Sequence, residues 1–199
     1  MSAFKPLTLT TLREETGYAR PYFSTPNLVK MTSSALEVMT DLHFVHAATV
    51  LAGVDLESAS QKMISRGVRS LLVVNASSDV TGIITARDVM GDRPAEVMNA
   101  RKVAFNEVQV CDVMTPASQV EVLPLDDVLH AHVGDVVETL KYSGRQHALV
   151  VEMDPILHKP VIRGIFSASQ IARQLGVALQ SHELSQTFAE IDRSISAKK

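Results

Sequence analysis

A hydroxyl, a guanidinium and a carboxylate lie within four residues of one another at Thr85, Arg87 and Asp88. An ionised carboxylate only accepts hydrogen bonds, so Asp88 could take both hydrogens of a ribose diol. Thr85 adds a hydroxyl that can donate or accept, and Arg87 could reach outward to a phosphate. If a helix begins here, its free N–H groups and positive end would favour the same ligand. The segment is therefore a candidate nucleotide-binding site.

The same residues have a purely structural interpretation. Thr-x-x-Asp at the start of a helix is close to a capping box, in which Thr85 accepts from a backbone N–H and Asp88 lies near the positive end of the helix dipole. A later segment, Ser167-x-x-Gln170, fits the capping-box pattern even better. Taken alone, the residues leave both capping and ligand binding open.

The later segment belongs to a second copy of one repeated unit. Three strings recur in chain order: residues 37–40 (EVMT) as 112–115 (DVMT), residues 67–74 (GVRSLLVV) as 144–151 (GRQHALVV), and residues 82–88 (GIITARD) as 164–170 (GIFSASQ). A repeat of this length is too long for a solenoid and suits two fused modules. The second copy carries the neutral Gln170 where the first carries the acid Asp88.

Composition limits the class of protein. The chain has 199 residues, of which 46% are hydrophobic and 21% charged, so it can bury a core in one or two domains. A net charge of −3 argues against a nucleic-acid surface. Neither a membrane-spanning apolar run nor a signal-peptide pattern is present, so no membrane contact is expected. The lone Cys111 excludes an intrachain disulfide and predicts a cytoplasmic location.

Local patterns predict the elements that carry the two motifs. In the first unit, Asp55 is a plausible N-cap for a helix that ends at Gly67. One face of that helix carries Leu56, Ala59, Met63 and Ile64. Strands follow at residues 70–75 and 80–84, and a further helix starts at Thr85. The order is strand, helix, strand, strand, helix.

The second unit repeats that order with an insertion. Its helical stripe consists of Val133, Val136, Val137 and Leu140, and Gly144 ends the helix. Extra sequence between Val122 and Val133 displaces this helix. The predicted organisation is a leader at 1–33, a first unit at 34–99, a linker at 100–107, a second unit at 108–176 and a C-terminal helix or tail at 177–199. The tail has a stripe predicted to pack against its own body or a partner subunit: Leu184, Phe188, Ile191 and Ile195.

The repeated unit resembles the cystathionine β-synthase (CBS) domain, and the two copies resemble a CBS pair, or Bateman module. Each copy opens near Val-Met-Thr and closes on Gly-Ile-x-[Thr/Ser]-x-x-[Asp], with Gln170 departing from the pattern. The resemblance covers about residues 36–175, and several segments agreeing in order make it more specific than one motif. It implies an α+β fold in which the two units pack through their sheets with pseudo-twofold symmetry, often as a homodimer.

The resemblance also implies ligand sites in clefts between the units. Family members bind AMP, ADP, ATP or S-adenosylmethionine there, and the Thr/Ser-x-x-Asp positions contact the ribose, a role that Thr85 and Asp88 match directly. Because family clefts are composite, the second unit should contribute the opposite wall. The residues predicted for the Asp88 cleft are Thr85, Asp88, Arg87, Ile83, Val122, Arg145, Gln146 and His147.

Several of these assignments have alternatives. Arg145 and His147 are either phosphate neighbours or a solvated helix end. Ile83 is either an apolar wall for adenine or part of the sheet core.

A second cleft is predicted to be the weaker one. It would be lined by Ser167, Gln170, Ala48, Val68 and Arg69. A neutral amide can hydrogen-bond a hydroxyl, but it lacks the charge-assisted strength of a carboxylate. We therefore expect this cleft to be empty or weaker, with one ligand per chain.

The functional prediction is a regulatory module that senses an adenosine-containing ligand and controls an unknown protein partner. No enzyme activity, catalytic residue, cofactor or metal site is predicted, and the histidines and acids at 126–132 have the pattern of a solvated surface. The alternative is a structural dimerisation module without a physiological ligand.

Overall fold

The computed structural model describes residues 28–177, 188–189 and 191. Residues 28–177 form eight strands: β1 (Thr40–Asp41), β2 (Thr49–Leu51), β3 (Ser70–Val74), β4 (Val80–Thr85), β5 (Thr115–Pro116), β6 (Val122–Pro124), β7 (His147–Met153) and β8 (Pro160–Ser167). The same stretch forms seven α-helices: α1 (Leu56–Arg66), α2 (Ala86–Met90), α3 (Arg93–Arg101), α4 (Val110–Val113), α5 (Leu125–His130), α6 (Val133–Ser143) and α7 (Ala168–Gln174). Three short 3-10 turns lie at Ala35–Val38, Phe105–Glu107 and Ala117–Gln119.

The strands form two four-stranded sheets of equivalent order, β2-β3-β4-β5 and β6-β7-β8-β1. In each sheet the first pair is parallel and the other two pairs are antiparallel. The short strand that opens each unit pairs with a strand of the other unit, because β1 lies against β8 and β5 lies against β4. The two units therefore complete each other's sheets, and the mixed α+β architecture agrees with the prediction from the sequence.

An ion pair fastens the exchanged strand β1 to β8. Arg163 donates from Nε to Asp41 Oδ1 at 3.0 Å and from Nη2 to Asp41 Oδ2 at 2.6 Å, while its Nη1 reaches Glu152 at 3.3 Å. Burial alone would raise the pKa of Asp41, but the Arg163 guanidinium outweighs burial and holds that pKa below its usual value. A bidentate pair of this kind fixes the geometry as well as the charge.

The hydrophobic core of each unit includes residues that open the other unit. The core of the first unit includes Val108, Val110 and Val113, which open the second unit. The core of the second unit includes Ala35, Val38 and Met39, which open the first unit. A smaller cluster around Leu72, Ile83 and Leu149 lies between the two sheets. The boundaries predicted at 34–99 and 108–176 stay predictions, and the packing crosses both of them.

The helix predictions hold with one correction. Asp55 accepts from Ser58 N at 2.8 Å and begins α1, and Gly67, at φ 63°, ends it in the left-handed region that favours glycine. Leu56, Ala59 and Met63 are buried as predicted, but Ile64 is 69% exposed. Each helical residue turns by about 100°, so the position after Met63 leaves the buried stripe.

In the second unit, the stripe of three valines and one leucine predicted for α6 is fully buried. The insertion before this helix forms β6 and α5. Phe188 and Ile191 of the predicted C-terminal stripe lie in the core of the second unit, so these two pack against their own body. Leu184, Ile195 and the first 27 residues of the predicted leader lie outside the described residues.

Candidate functional site

Each of the two motifs lies where the third strand of a sheet leads into a helix. β4 runs into α2 at Thr85, and β8 runs into α7 at Ser167. Antiparallel pairing sets the neighbour of each motif, because Thr85 is opposite Ser70 and Ser167 is opposite His147. The start of the preceding strand thus lies beside each motif within its own unit.

The Asp88 carboxylate is engaged within its own helix. Its Oδ2 accepts from Thr85 N at 2.9 Å and from Thr85 Oγ1 at 2.7 Å, while Asp88 N donates to Thr85 Oγ1 at 3.3 Å. Arg93 Nη1 donates to Asp88 Oδ1 at 3.3 Å and to Val113 O at 2.8 Å. These contacts form the capping box that the sequence offers as one interpretation, and the ribose role of Asp88 stays a prediction.

We expect Asp88→Ala to lower the free energy of unfolding by about 1 kcal/mol, because α2 loses its capping box. A matched control is Asp92→Ala, since Asp92 is an exposed N-cap residue whose side chain makes no capping hydrogen bond. Urea unfolding of both variants measures the difference. Equal losses in the two variants would contradict a capping role for Asp88.

The second motif does not form the predicted capping box. Gln170 Oε1 instead accepts from Thr40 Oγ1 at 3.1 Å, and Thr40 lies on the exchanged strand β1. The hydroxyl of Ser167 lies 3.1 Å from the hydroxyl of Ser169, and no side-chain capping hydrogen bond is made. The capping prediction for this segment is wrong because strand exchange offers Gln170 a different partner.

A cavity of about 740 Å³ lies between the two units at this second motif. Its walls are the segment before β2, the connection from α1 to β3, and the end of β8 with the first turns of α7. All the residues predicted for the weaker cleft line it: Ser167, Gln170, Ala48, Val68 and Arg69. The structure thus brings together these residues from both units.

The residues predicted for the Asp88 cleft are not gathered at this cavity, except for His147. Arg145 donates to Gln119 O at 3.3 Å and pairs with Glu121 at 3.4 Å. Ile83 is buried in the cluster between the sheets, which agrees with the interpretation of this residue as part of the sheet core. Val122 is 41% exposed on β6. The remaining members are Thr85, Asp88, Arg87 and Gln146, and none of them lines the cavity.

The charge of the cavity lining is entirely positive. Arg66 contributes from the last residue of α1, Arg69 from the connection between α1 and β3, and Arg173 from α7. No aspartate or glutamate is among the lining residues. Sequence reasoning missed Arg66 and Arg173, although Arg66 precedes the helix-ending Gly67 and Arg173 lies one turn after Gln170. Those spacings are the only sequence signal for them.

His147 lies in the cavity wall with an unusual environment. Its Nδ1 is inaccessible to solvent and has no hydrogen-bond partner among the described residues. Burial, with a further contribution from the Arg69 charge, lowers the pKa of His147 to about 4. The imidazole is therefore neutral near pH 7, and its Nδ1 makes no hydrogen bond with any residue that the structure describes.

A model of the CBS domain family matches residues 35–93. This segment is a CBS domain. The second copy has the same element order and sheet order, so the chain has the fold of a CBS domain pair. The resemblance inferred from the repeated strings is thereby confirmed.

Solved structures support the CBS pair fold. A conserved protein from Pyrococcus horikoshii is 20% identical, with a TM-score of 0.54 over 77% of this chain and 100% of that chain. A CBS-domain containing protein from Agrobacterium tumefaciens is 18% identical, with a TM-score of 0.52 over 74% of this chain and 98% of that chain. No curated protein matches the chain significantly. At these identities the likeness concerns the fold alone.

Two further properties of the CBS pair concern membrane-spanning helices and the reactivity of Cys111. Within the described residues, every helix is too short or too polar to cross a bilayer. Cys111 is exposed, and partial burial of its thiol together with the Asp112 charge raises the pKa of that thiol. A raised pKa disfavours the reactive thiolate.

Proposed function

We propose that this CBS pair is a regulatory module that binds an adenosine-containing ligand in the cavity between its two units and thereby controls a partner protein. The observation that supports the proposal is the composition of the cavity wall. Both units contribute to it, apolar residues such as Val68 and Ile165 lie next to serines and arginines, and one buried imidazole nitrogen lacks a partner. Its volume is in the range of small-molecule sites.

The proposal moves the favoured site from the Asp88 cleft to the Gln170 cavity. Asp88 is already held by Thr85 and Arg93, so a ribose would have to compete with contacts that stabilise α2. At the Gln170 cavity, the sugar could hydrogen-bond the hydroxyl groups of Ser167 and Ser169, which lie 3.1 Å apart, and the amide nitrogen of Gln170, whose oxygen accepts from Thr40. One ligand per chain remains the expected stoichiometry.

Regulation requires that the ligand bind two conformations of the CBS pair with different affinities. A ligand in this cavity would touch the connection from α1 to β3 in one unit and α7 in the other. Any change in the angle between the units would alter those contacts together. Ligand binding would therefore select one relative arrangement of the units, which a partner protein could recognise.

Calorimetry with AMP, ATP and S-adenosylmethionine tests the proposal on two matched variants. Ser169→Trp places an indole in the cavity, and Arg87→Trp places it at the equivalent position of the first repeat. We expect Ser169→Trp to abolish binding and Arg87→Trp to leave it within about 3-fold. The reverse pattern would return the site to the Asp88 cleft.

A structural dimerisation module without a ligand is the second candidate. The observation that favours it is that both motifs are satisfied internally, Asp88 by its capping box and Gln170 by Thr40. A ligand that binds only the folded state must raise the melting temperature. If no adenosine compound does so at millimolar concentration, the dimerisation function is the better explanation.

A further inference from the structure

One connection between the two sheets of the CBS pair runs along the cavity, at residues 42–48, which we call the strap. The strap leads from β1, in the sheet of the second unit, to β2, in the sheet of the first. It contains neither helix nor strand, and all of its residues except His43 line the cavity. A ligand in the cavity would therefore lie against a segment that is attached to both sheets.

Both ends of the strap are fixed, each to a different sheet. At its start, Leu42 N donates to Arg163 O on β8 at 2.9 Å. At its end, Leu72 N on β3 donates to Ala48 O at 2.9 Å. Leu42 and Ala47 also pack against the apolar cluster between the sheets. The part of the strap between these anchors can therefore change shape while both ends stay in place.

The middle of the strap, residues 43–46, is exposed and carries an aromatic ring, and we call it the tip. Phe44 is 85% exposed although it belongs to the cavity lining, and Val45 beside it is 47% exposed. An aromatic side chain gains stabilisation when it is removed from water, and Phe44 has little of that gain in this position. A ligand in the cavity would offer Phe44 a surface to cover.

A small set of exposed contacts holds the tip in its open position. The backbone N–H groups of residues 43–45 donate to Asp41, and His43 Nε2 lies 3.3 Å from Glu152 Oε1. Within the described part of the chain, the backbone of residues 46–47 makes no hydrogen bond. The His43 side chain is 62% exposed, so its contact with Glu152 adds little stability. Groups released by movement of the tip would be hydrated, which keeps the cost of that movement small.

We propose that the strap closes over a ligand in the cavity, and that Phe44 then moves from solvent onto the ligand. The inference rests on the proposed function for the presence of a ligand, and it adds the way in which binding reaches the two units. Closure buries apolar area and excludes water from the ligand. Because the ends of the strap are bonded to β8 and β3, closure also pulls on both sheets and favours one arrangement of the units.

Fluorescence of single-tryptophan variants tests closure, because the chain has no tryptophan of its own. Phe44→Trp and His43→Trp place the indole in the tip, and Phe105→Trp is the control outside the cavity. Each variant is titrated with AMP, ATP and S-adenosylmethionine. We expect a compound that binds to move the Phe44→Trp emission to shorter wavelength, because the indole leaves water. The His43→Trp emission should change over the same concentration range, while that of Phe105→Trp stays constant.

Position 43 separates closure from passive contact. His43 does not line the cavity, so a ligand that touched an immobile tip would change the emission of Phe44→Trp alone. That result, or constant emission at both positions in the presence of a bound compound, would overturn closure. A change at both positions supports it.

Calorimetry measures how much closure contributes to affinity. Phe44→Ser removes the ring, and Ile156→Ser is the matched control, because Ile156 is 84% exposed and lies outside the cavity. We expect Phe44→Ser to weaken binding about 10-fold, as partial burial of a phenylalanine side chain implies, and Ile156→Ser to leave binding within about 2-fold. Equal affinities of the two variants would contradict closure. Both side chains are exposed, and thermal melts establish that both variants are folded.

The two measurements also separate this inference from the proposed function. If a compound binds to the parent and Ser169→Trp abolishes that binding, but the tip does not respond, the proposed function holds and the strap inference fails. If none of the three compounds binds, the proposed function fails and the strap inference fails with it.

Discussion

Gly82→Ala is expected to destabilise the protein by about 3 kcal/mol, the upper end of the range for inserting a methyl group into a packed interior. A Cβ on Gly82 would lie 2.5 Å from Thr115 O, which is a backbone atom. Gly82 pairs with Pro116, so relief requires β4 and β5 to move apart. Since β5 is the exchanged strand, the damage would spread to the contact between the two units.

Alanine variants of two other glycines, Gly53 and Gly164, are the comparisons for Gly82→Ala in urea unfolding experiments. Gly53 is exposed, and a Cβ there meets no atom within 4 Å, so Gly53→Ala should stay within about 0.5 kcal/mol of the parent. At Gly164 a Cβ would clash with the Met39 side chain, whose thioether can rotate away. We therefore expect Gly164→Ala to cost less than Gly82→Ala. Equal costs at positions 82 and 53 would mean that β5 is not held against β4.

Acid should weaken the fold through His147 well before the carboxylates protonate. Burial and the Arg69 charge hold the pKa of His147 at about 4, whereas an imidazole in the unfolded chain has a pKa of about 6.5. Below pH 6.5 the unfolded chain binds more protons, so stability is lost as pH falls from about 6.5 towards 4. The expected loss from this group is about 2 kcal/mol at pH 5, relative to pH 7.

Unfolding in urea at pH 7 and pH 5 measures this loss. His147→Leu removes the titrating group and should flatten the pH dependence by about 2 kcal/mol. His130→Gln is the control, because it removes an imidazole that is exposed on α5 instead of buried. A His147→Leu variant with the same slope as the parent would contradict a buried neutral imidazole.

Much of this architecture could be predicted because it is encoded locally. The stripe from Val133 to Leu140 has the period of a buried helix face, and Gly67 and Gly144 end their helices in the left-handed conformation that favours glycine. The repeated strings predicted two equivalent units. Those signals depend on neighbours within a few residues, which a sequence displays directly.

The strand exchange could not be predicted in the same way. β1 and β5 have two residues each, and nothing in Thr40 or Thr115 states which sheet they join. The exchange also changes the candidate site, because Thr40 on β1 donates a hydrogen bond to the Gln170 side chain. The sequence pattern assigned that side chain to a helix cap. The packing of both units determines which sheet so short a strand joins.

The placement of His147 and Arg173 depended on features outside the motifs. His147 faces Ser167 through the register of β7 and β8, so it lies at the Gln170 cavity although it was predicted for the Asp88 cleft. Arg173 lies beyond the last motif residue, and its importance comes from Arg66 and Arg69 in the other unit. A sequence motif names the residues around one contact, while a cavity collects residues from several segments.

The exchange of β1 and β5 also determines whether either unit can be transferred to another protein by itself. A fragment transplanted as residues 34–99 would carry β1 away from its sheet and leave β4 without β5, exposing an unpaired strand edge of the kind that invites aggregation. The isolated bridges Ser34 to His132 and Asp55 to Gln109 would be severed as well. In a fusion protein this CBS pair therefore has to be grafted whole, because each half completes the sheet of the other.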